Sequence, residues 1–366
     1  MLTGQNGILN RAAEAKEKTE IASKDEQRKL AQVEALMSTG DTEYNGVTIP
    51  KGFAPTKVAG EDSIDVGLVI TDGSGNEYVW VEVPKTTEIY STAGINITNF
   101  TDKEYAEIEK DLKTYTSEYA NSNISDSDTN LKDKYRRMLK SVYTNKGFWI
   151  GRYEAGIDGE KPRTTYEMLT NEDKSVIKQD MYPYNYVTRS DAQQLAERMD
   201  YKSCTSSLIF GLQWNLTLKY IETKKAWTKE KLIINSMTIG NYYNSEFMLY
   251  RGKFAQYGTL SEWNNYDSQE KSSLVIKNKK QSQTSGKNGI FLTTGATEIS
   301  NLQNIYDIAG NVWEWTLELY NDASLPYVRR GGSGNYKSTD YPAKGFAFNH
   351  IGDRGDDTGF RIGLWE

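Results

Sequence analysis

Asn304-Ile305-Tyr306-Asp307-Ile308-Ala309-Gly310-Asn311-Val312-Trp313-Glu314-Trp315-Thr316 is the most specific string in this chain. Successive side chains of a strand point to opposite faces, so Trp313 and Trp315 share one face and Glu314 takes the other. Two indoles on one face demand a buried setting. Asp307 and Glu314 bracket the Gly310 turn, and two carboxylates with nearby turn carbonyls can surround a hard cation. Glu314 can equally serve as a hydrogen-bond or ion-pair partner inside the fold.

Outward from this string, the chain changes character at Gly147. Trp, Tyr and Gly become frequent downstream, and short strand-like runs alternate with loops. The spacing predicts helices over about 189–199, with Ser190 as N-cap, and about 212–222, from Leu212, Leu216 and Tyr220. Residues 264–288 read as a Lys/Ser/Gln/Asn-rich loop, and 305–366 as strands joined by Gly-rich turns. Upstream, residues 44–84 read as a β meander. Gly67–Ile70 and Tyr78–Val83, joined by the turn residues Thr71–Asn76, predict a hairpin. Helices are expected over about 102–118 and 130–142. The loop between them contains Asp126-Ser127-Asp128-Thr129-Asn130, the alternation of a calcium loop's first half, but Arg137 stands where the later acidic ligand belongs. It reads as a solvated loop. Ile8–Met37 holds neither Gly nor Pro and reads as a helix. Its charges alternate in sign and its large apolar residues are sparse, so it is either a stalk or a helix lying along a small partner surface.

The composition narrows the function. With 366 residues, two to three units of roughly 150 residues are expected. A net charge of −6 argues against a nucleic-acid partner. No apolar run reaches the roughly 18–20 residues of a membrane span. The single Cys, Cys204, allows no internal disulfide and no Cys-based zinc site, and reads as an ordinary buried thiol. The single His, His350, excludes a His-rich metal site.

The 304–316 string, with Phe148-Trp149-Ile150-Gly151-Arg152-Tyr153-Glu154, Arg329-Arg330-Gly331-Gly332-Ser333 and Gly359-Phe360-Arg361, resembles the formylglycine-generating-enzyme family. That family is a branch of the C-type-lectin fold, and the resemblance covers about residues 147–366. It implies an α+β architecture: a helix over 1–38, a small β-rich module with a helical insertion over 39–146, and a C-type-lectin-like ligand-binding domain over 147–366. It also implies a structural calcium held by the Asp307 and Glu314 side chains and the Gly310 and Val312 carbonyls, so chelation would lower the melting temperature. The family's catalytic features are missing. Its sulfatase-modifying members use paired cysteines near the C-terminus for copper, and iron-dependent members use several histidines. No redox cofactor and no catalysis are therefore expected, with a formylglycine-generating-type oxidoreductase as the rival.

Two further resemblances shape the expectation. Leu2-Thr3-Gly4-Gln5-Asn6-Gly7-Ile8-Leu9-Asn10-Arg11-Ala12, with the charged run after it, resembles the segment that follows the apolar helix of type IV pilin-like proteins. It implies a pilus-like surface location, other pilin subunits as partners, and membrane attachment only through a segment upstream of Met1. The tail Gly331–Thr358 mixes Tyr, Phe, Asn, Ser, Asp and Gly as a paratope does. It resembles the variable region of proteins diversified by retroelements on a C-type-lectin scaffold. Adenine-directed change of Asn-type codons cannot produce Glu, Gln, Met or Trp, and the tail contains none of them. Lys337 and Lys344 are unreachable from those codons and would be fixed. The expected contacts are Tyr336, Lys337, Thr339, Asp340, Tyr341, Phe346, Phe348, Asn349, His350 and Asp353. They would meet a protein or glycan ligand on another cell or surface. A phage tail-tip receptor binder of the same fold is the alternative.

Overall fold

The computed structural model describes residues 3–249, 251–265, 275–277 and 289–366. Most of the loop expected over 264–288 lies outside the described residues. The principal strands are β1 (Phe53–Pro55), β2 (Val69–Asp72), β3 (Glu77–Glu82), β4 (Gly147–Gly151), β5 (Thr205–Leu208), β6 (Trp313–Tyr320), β7 (Tyr327–Arg330), β8 (Phe346–Asn349), β9 (Thr358–Phe360) and β10 (Ile362–Trp365). The helices are α1 (Thr3–Met37), α2 (Asp102–Tyr115), α3 (Lys132–Asn145), α4 (Arg189–Glu197) and α5 (Gly211–Thr223).

One six-stranded sheet runs β5-β10-β4-β3-β2-β1. The expected α+β architecture is there, and so is the expected hairpin, with Val69 opposite Val79. β3 pairs along its length with β4, from Tyr78 opposite Gly151 to Glu82 opposite Gly147. Strand pairing thus crosses the position 146/147. An isolated two-stranded hairpin is marginal in water, and β3 is buried on both faces. Val69, Val79, Ile150, Leu208 and Leu364 belong to one apolar cluster. A second sheet runs β8-β7-β6-β9, antiparallel except for β6 beside β9, and Ile124–Ser125 adds to β6.

Helix ends follow local hydrogen bonding. α4 begins at Arg189 with Thr188, not Ser190, as its cap: Asp191 N donates to Thr188 Oγ1 and Thr188 N donates to Asp191 Oδ2, both at 3.1 Å. This reciprocal box satisfies two donors that the helix itself cannot. α5 is capped from afar. Gly211 N and Leu212 N donate to the two Asp126 carboxylate oxygens at 2.8 and 2.9 Å. Asp126 is thus buried, and the solvated-loop expectation fails there because α5's first amides need an acceptor.

α1 lies with its C-terminal end against the sheet edge. Ala31 and Ala35 pack on Ala54 of β1. Arg28 donates to Glu61, which also accepts from Arg152 at 2.8 Å, while Arg152 reaches Glu77 at 2.9 Å. Burial would raise the Glu61 carboxyl, but Arg152 and Arg28 overcome it and hold it down to about 2. Leu30, Val33 and Met37 remain exposed. Among the described residues, no helix is long and apolar enough to cross a membrane.

Candidate functional site

The 304–316 string forms a buried pin rather than an open site. Gly310 has φ +75°, and a Cβ there would stand 2.2 Å from the Asn241 carbonyl, so the turn needs glycine. Asn311 follows at φ +59° and ties three segments together. Its Nδ2 donates to Glu154 Oε2 at 2.7 Å, and its Oδ1 accepts from Leu292 N at 2.9 Å and Asn241 Nδ2 at 3.0 Å. Val312 N donates to Glu154 Oε1 at 3.1 Å. Trp313 and Trp315 are fully buried, as two indoles on one strand face require, and Trp315 Nε1 donates to the Val187 carbonyl at 2.9 Å.

The cation expected at Asp307, Gly310, Val312 and Glu314 does not fit this geometry. Arg361 donates to both Glu314 oxygens, through Nε at 3.1 and 3.0 Å and Nη2 at 2.6 Å. Arg361 also donates to the carbonyls of Gly151 and Tyr306, at 2.9 and 2.8 Å. Asp307 is occupied elsewhere, accepting from Ser300 Oγ and Gly295 N, both at 2.7 Å. Among the described residues, no group of three or more His, Cys, Asp or Glu could hold a metal ion. Of the two roles open to Glu314, the ion pair is the one the fold adopts. A fixed guanidinium matches a carboxylate bidentately and supplies the positive charge a metal would. Burial pushes the Glu314, Asp307 and Glu154 carboxyls up, and Asp307 and Glu314 add their repulsion at Glu154.

Above the pin lies an aromatic face. Trp313 meets Tyr341 with ring centroids 4.9 Å apart and Tyr336 at 5.7 Å, and the two tyrosines meet edge-on at 5.0 Å. The Arg329 guanidinium covers Trp313 at 4.9 Å. Arg329 lies 3.6 Å from Asp357, which in turn accepts from Ser333 Oγ at 2.9 Å. Trp313 is sealed, so it backs the face, while Tyr336, Tyr341 and Lys337 are half-buried and Thr339 and Asp340 are exposed beside them.

The remaining expected contacts divide. β8 pairs Phe346 with Arg330 and Phe348 with Val328, while Ala347 faces Arg329. Alternation therefore turns Phe346 and Phe348 away from the Arg329 side. They form a second row: Tyr320 stacks on Phe348 at 3.8 Å, Phe348 neighbours Phe346 at 6.4 Å, and Arg330 lies over Phe346 at 5.2 Å. All three aromatic rings are half-buried. Asn349 is buried, and with Asp353 it fastens a turn: Asn349 Nδ2 and His350 N both donate to Asp353 Oδ2 at 3.0 Å. The His350 ring is exposed. The sequence reading missed Tyr320, Arg329 and the backing role of Trp313. The first two lie on neighbouring strands, where only the register brings them to the tail.

Rigid rings beside short polar side chains suit non-covalent contact. Burial pushes the Cys204 thiol up to about 12, so little thiolate forms near neutral pH.

Three solved structures resemble the chain. Treponema denticola variable protein 1 is 17% identical, over 60% of this chain and 85% of that one, with a TM-score of 0.32. CarF is 14% identical over 60% and 87%, at 0.34. PvdO from Pseudomonas aeruginosa is 15% identical over 61% and 82%, at 0.29. No curated protein matches the sequence. The model of the sulfatase-modifying factor enzyme 1-like domain matches residues 95–363, most of the chain and nearly all of the pinned core, and the chain belongs to that family.

Proposed function

We propose that this chain is a non-enzymatic, surface-displayed binding protein whose tail, Gly331–Thr358, presents an exchangeable recognition face to a protein or glycan on another cell or surface. The observation that carries the reading is the half-buried pair Tyr336 and Tyr341, braced from beneath by Trp313 and Arg329. Aromatic groups held rigid before binding give contact area at low entropic cost. Thr339, Asp340 and Lys337 at the rim supply polar selectivity, and Phe346 and Phe348 with Tyr320 extend the surface around the strand edge. The raised Cys204 thiol and the lone His350 support a role without turnover. In this reading α1 is the pilin-like stalk that carries the domain outward.

The test is display of the labelled chain on a glycan array and on intact cells, beside a Tyr336→Ala/Tyr341→Ala variant. Loss of every signal in the variant, with a cooperative melt showing that it still folds, supports the face. Undiminished binding removes it, and turnover of a cysteine-containing peptide would overturn the non-enzymatic reading.

A further inference from the structure

In the second sheet the tail supplies an outer strand. β8 pairs with β7 on one side, and among the described residues no strand lies on its other side. The phase of the ladder decides which groups that side presents. In an antiparallel pair, opposed residues alternate between those that exchange backbone bonds and those that do not. Gly331 N donates to the Gly345 carbonyl at 3.1 Å, one step before Arg330 opposite Phe346. Ala347 and Asn349 therefore bond to Arg329 and Tyr327, and the N–H and C=O of Phe346 and Phe348 point outward. None of these outward groups has a partner among the described residues.

Such an edge is commonly guarded by a charge, a proline or a bulge. Phe346-Ala347-Phe348-Asn349 has neither charge nor proline, and its register with β7 runs without a shift. The edge also carries anchors: Phe346 and Phe348 are half-buried on one face, and Tyr320 continues their row inward. An extended backbone repeats a donor and an acceptor every second residue, about 6.8 Å, which is the repeat of the outward groups. A glycan chain has no such repeat. The sheet already takes an addition of this kind from within the chain, where Ile124–Ser125 pairs with Leu319 and Tyr320. We propose that β8 is a docking edge for an extended segment of a partner protein, which joins the sheet as a further strand and lays alternate apolar side chains along Phe346, Phe348 and Tyr320. The inference rests on the reading of the tail as a recognition surface, and narrows its ligand to a protein. In this mode main-chain bonds give affinity and side-chain pockets give specificity. The outward backbone groups stay when tail side chains are exchanged, so the edge is the constant part of the surface.

The first measurement is amide hydrogen exchange on the full chain. The Phe346 and Phe348 amides should exchange freely, while those of Ala347 and Asn349, bonded to β7, are protected. Protection of Phe346 and Phe348 in the free chain means a covered edge and overturns the proposal; if that protection grows with protein concentration, the cover is a second copy. The binding probe is an immobilised library of random peptides of about ten residues, long enough for one strand. The best binder should carry apolar residues at alternate positions and should protect the Phe346 and Phe348 amides. N-methylation of its residues facing β8 should weaken it about tenfold or more, and N-methylation of those between them should cost little. Phe346→Ser/Phe348→Ser should weaken it too, with a cooperative melt showing that the variant folds. Equal tolerance of N-methylation at every position overturns strand addition, and so does a library without binders. If that library fails while a glycan or cell signal depends on Tyr336 and Tyr341, the edge falls and the aromatic face stands. If the peptide binds as expected while Tyr336→Ala/Tyr341→Ala keeps every cell signal, the face falls and the edge stands.

Discussion

The stretch 304–316 and the tail 331–358 are close in space but follow opposite rules. In the first, nearly every side chain is buried, and each carboxylate has its own protein donor: Asp307 has Ser300, Glu314 has Arg361. In the second, aromatic rings stand half-exposed and polar side chains such as Thr339 and Asp340 face solvent. Interiors are packed closely enough that a single lost methylene is felt, whereas surface substitutions are usually within about 0.5 kcal/mol. The contrast separates the part that holds the shape from the part that tolerates substitution. It also sets where substitutions should hurt.

The largest effect belongs to the pin. Arg361→Met leaves Glu314 buried without its cation, and breaking a buried pair from one side costs about 3–5 kcal/mol. Denaturant unfolding of the variant should show that loss or no folded state. A loss below about 1 kcal/mol would mean that Glu314 is protonated and pairs weakly. Arg361→Met/Glu314→Leu should recover much of the stability, because both charges leave together.

The next effect falls on Asp126. Asp126→Ala removes the cap of α5 and should cost about 1–2 kcal/mol. Burial first, then the neighbouring Glu318, pushes the Asp126 carboxyl up to about 7, against the pull of the Gly211 and Leu212 amides. The folded pKa is raised above the unfolded one, so the contribution is complete below about pH 4 and lost as pH rises through about 7. In paired melts, the stability of wild type relative to Asp126→Asn should fall across that window. A rise would mean that the two amides hold the carboxylate ionised.

Much of this was legible in the chain. The β-branched and aromatic runs marked β2 and β3, the Gly-free stretch Ile8–Met37 marked most of α1, and alternation placed both indoles on a buried face. Long-range pairing was not legible. β3 lies beside β4, and Arg361 beside Glu314, through contacts 47 or more residues apart that no local pattern announces. Glu154 and Arg361 both stood in strings that resembled the family, yet their roles emerge only when distant segments meet, Glu154 at Asn311 and Arg361 at Glu314. The same limit explains Asn349: a polar residue in a Gly-rich tail reads as surface, and the fold buries it to close a turn.

Substitutions in the tail should matter less to folding than to recognition. Thr339→Ala and Asp340→Ala should change stability by no more than about 0.5 kcal/mol. Tyr341→Ala should cost more, about 1 kcal/mol for the lost aromatic contacts with Trp313 and Tyr336. If all three cost as much as an interior truncation, the tail belongs to the core and the contrast collapses. If they are mild and each alters the signal on cells or glycans, the contrast is sharpened residue by residue.

The smallest effect concerns metal. A ligand bound only by the native state raises stability with its concentration, so a structural calcium would make the melting temperature fall on chelation. The family resemblance leads to that expectation, and the geometry leads to the opposite one. Arg361 occupies both oxygens of Glu314, and Ser300 and Gly295 occupy those of Asp307. A cation at this place would have to displace a guanidinium that also holds two backbone carbonyls. Chelator and added calcium should therefore leave the melting temperature of wild type unchanged. The decisive arm is Arg361→Met: with the guanidinium gone, Glu314 lacks a cation, and calcium should stabilise the variant if the turn carbonyls can serve as ligands. A calcium-dependent shift in wild type would show that the metal and the guanidinium coexist, and would move this part of the pin from a closed ion pair to an open site.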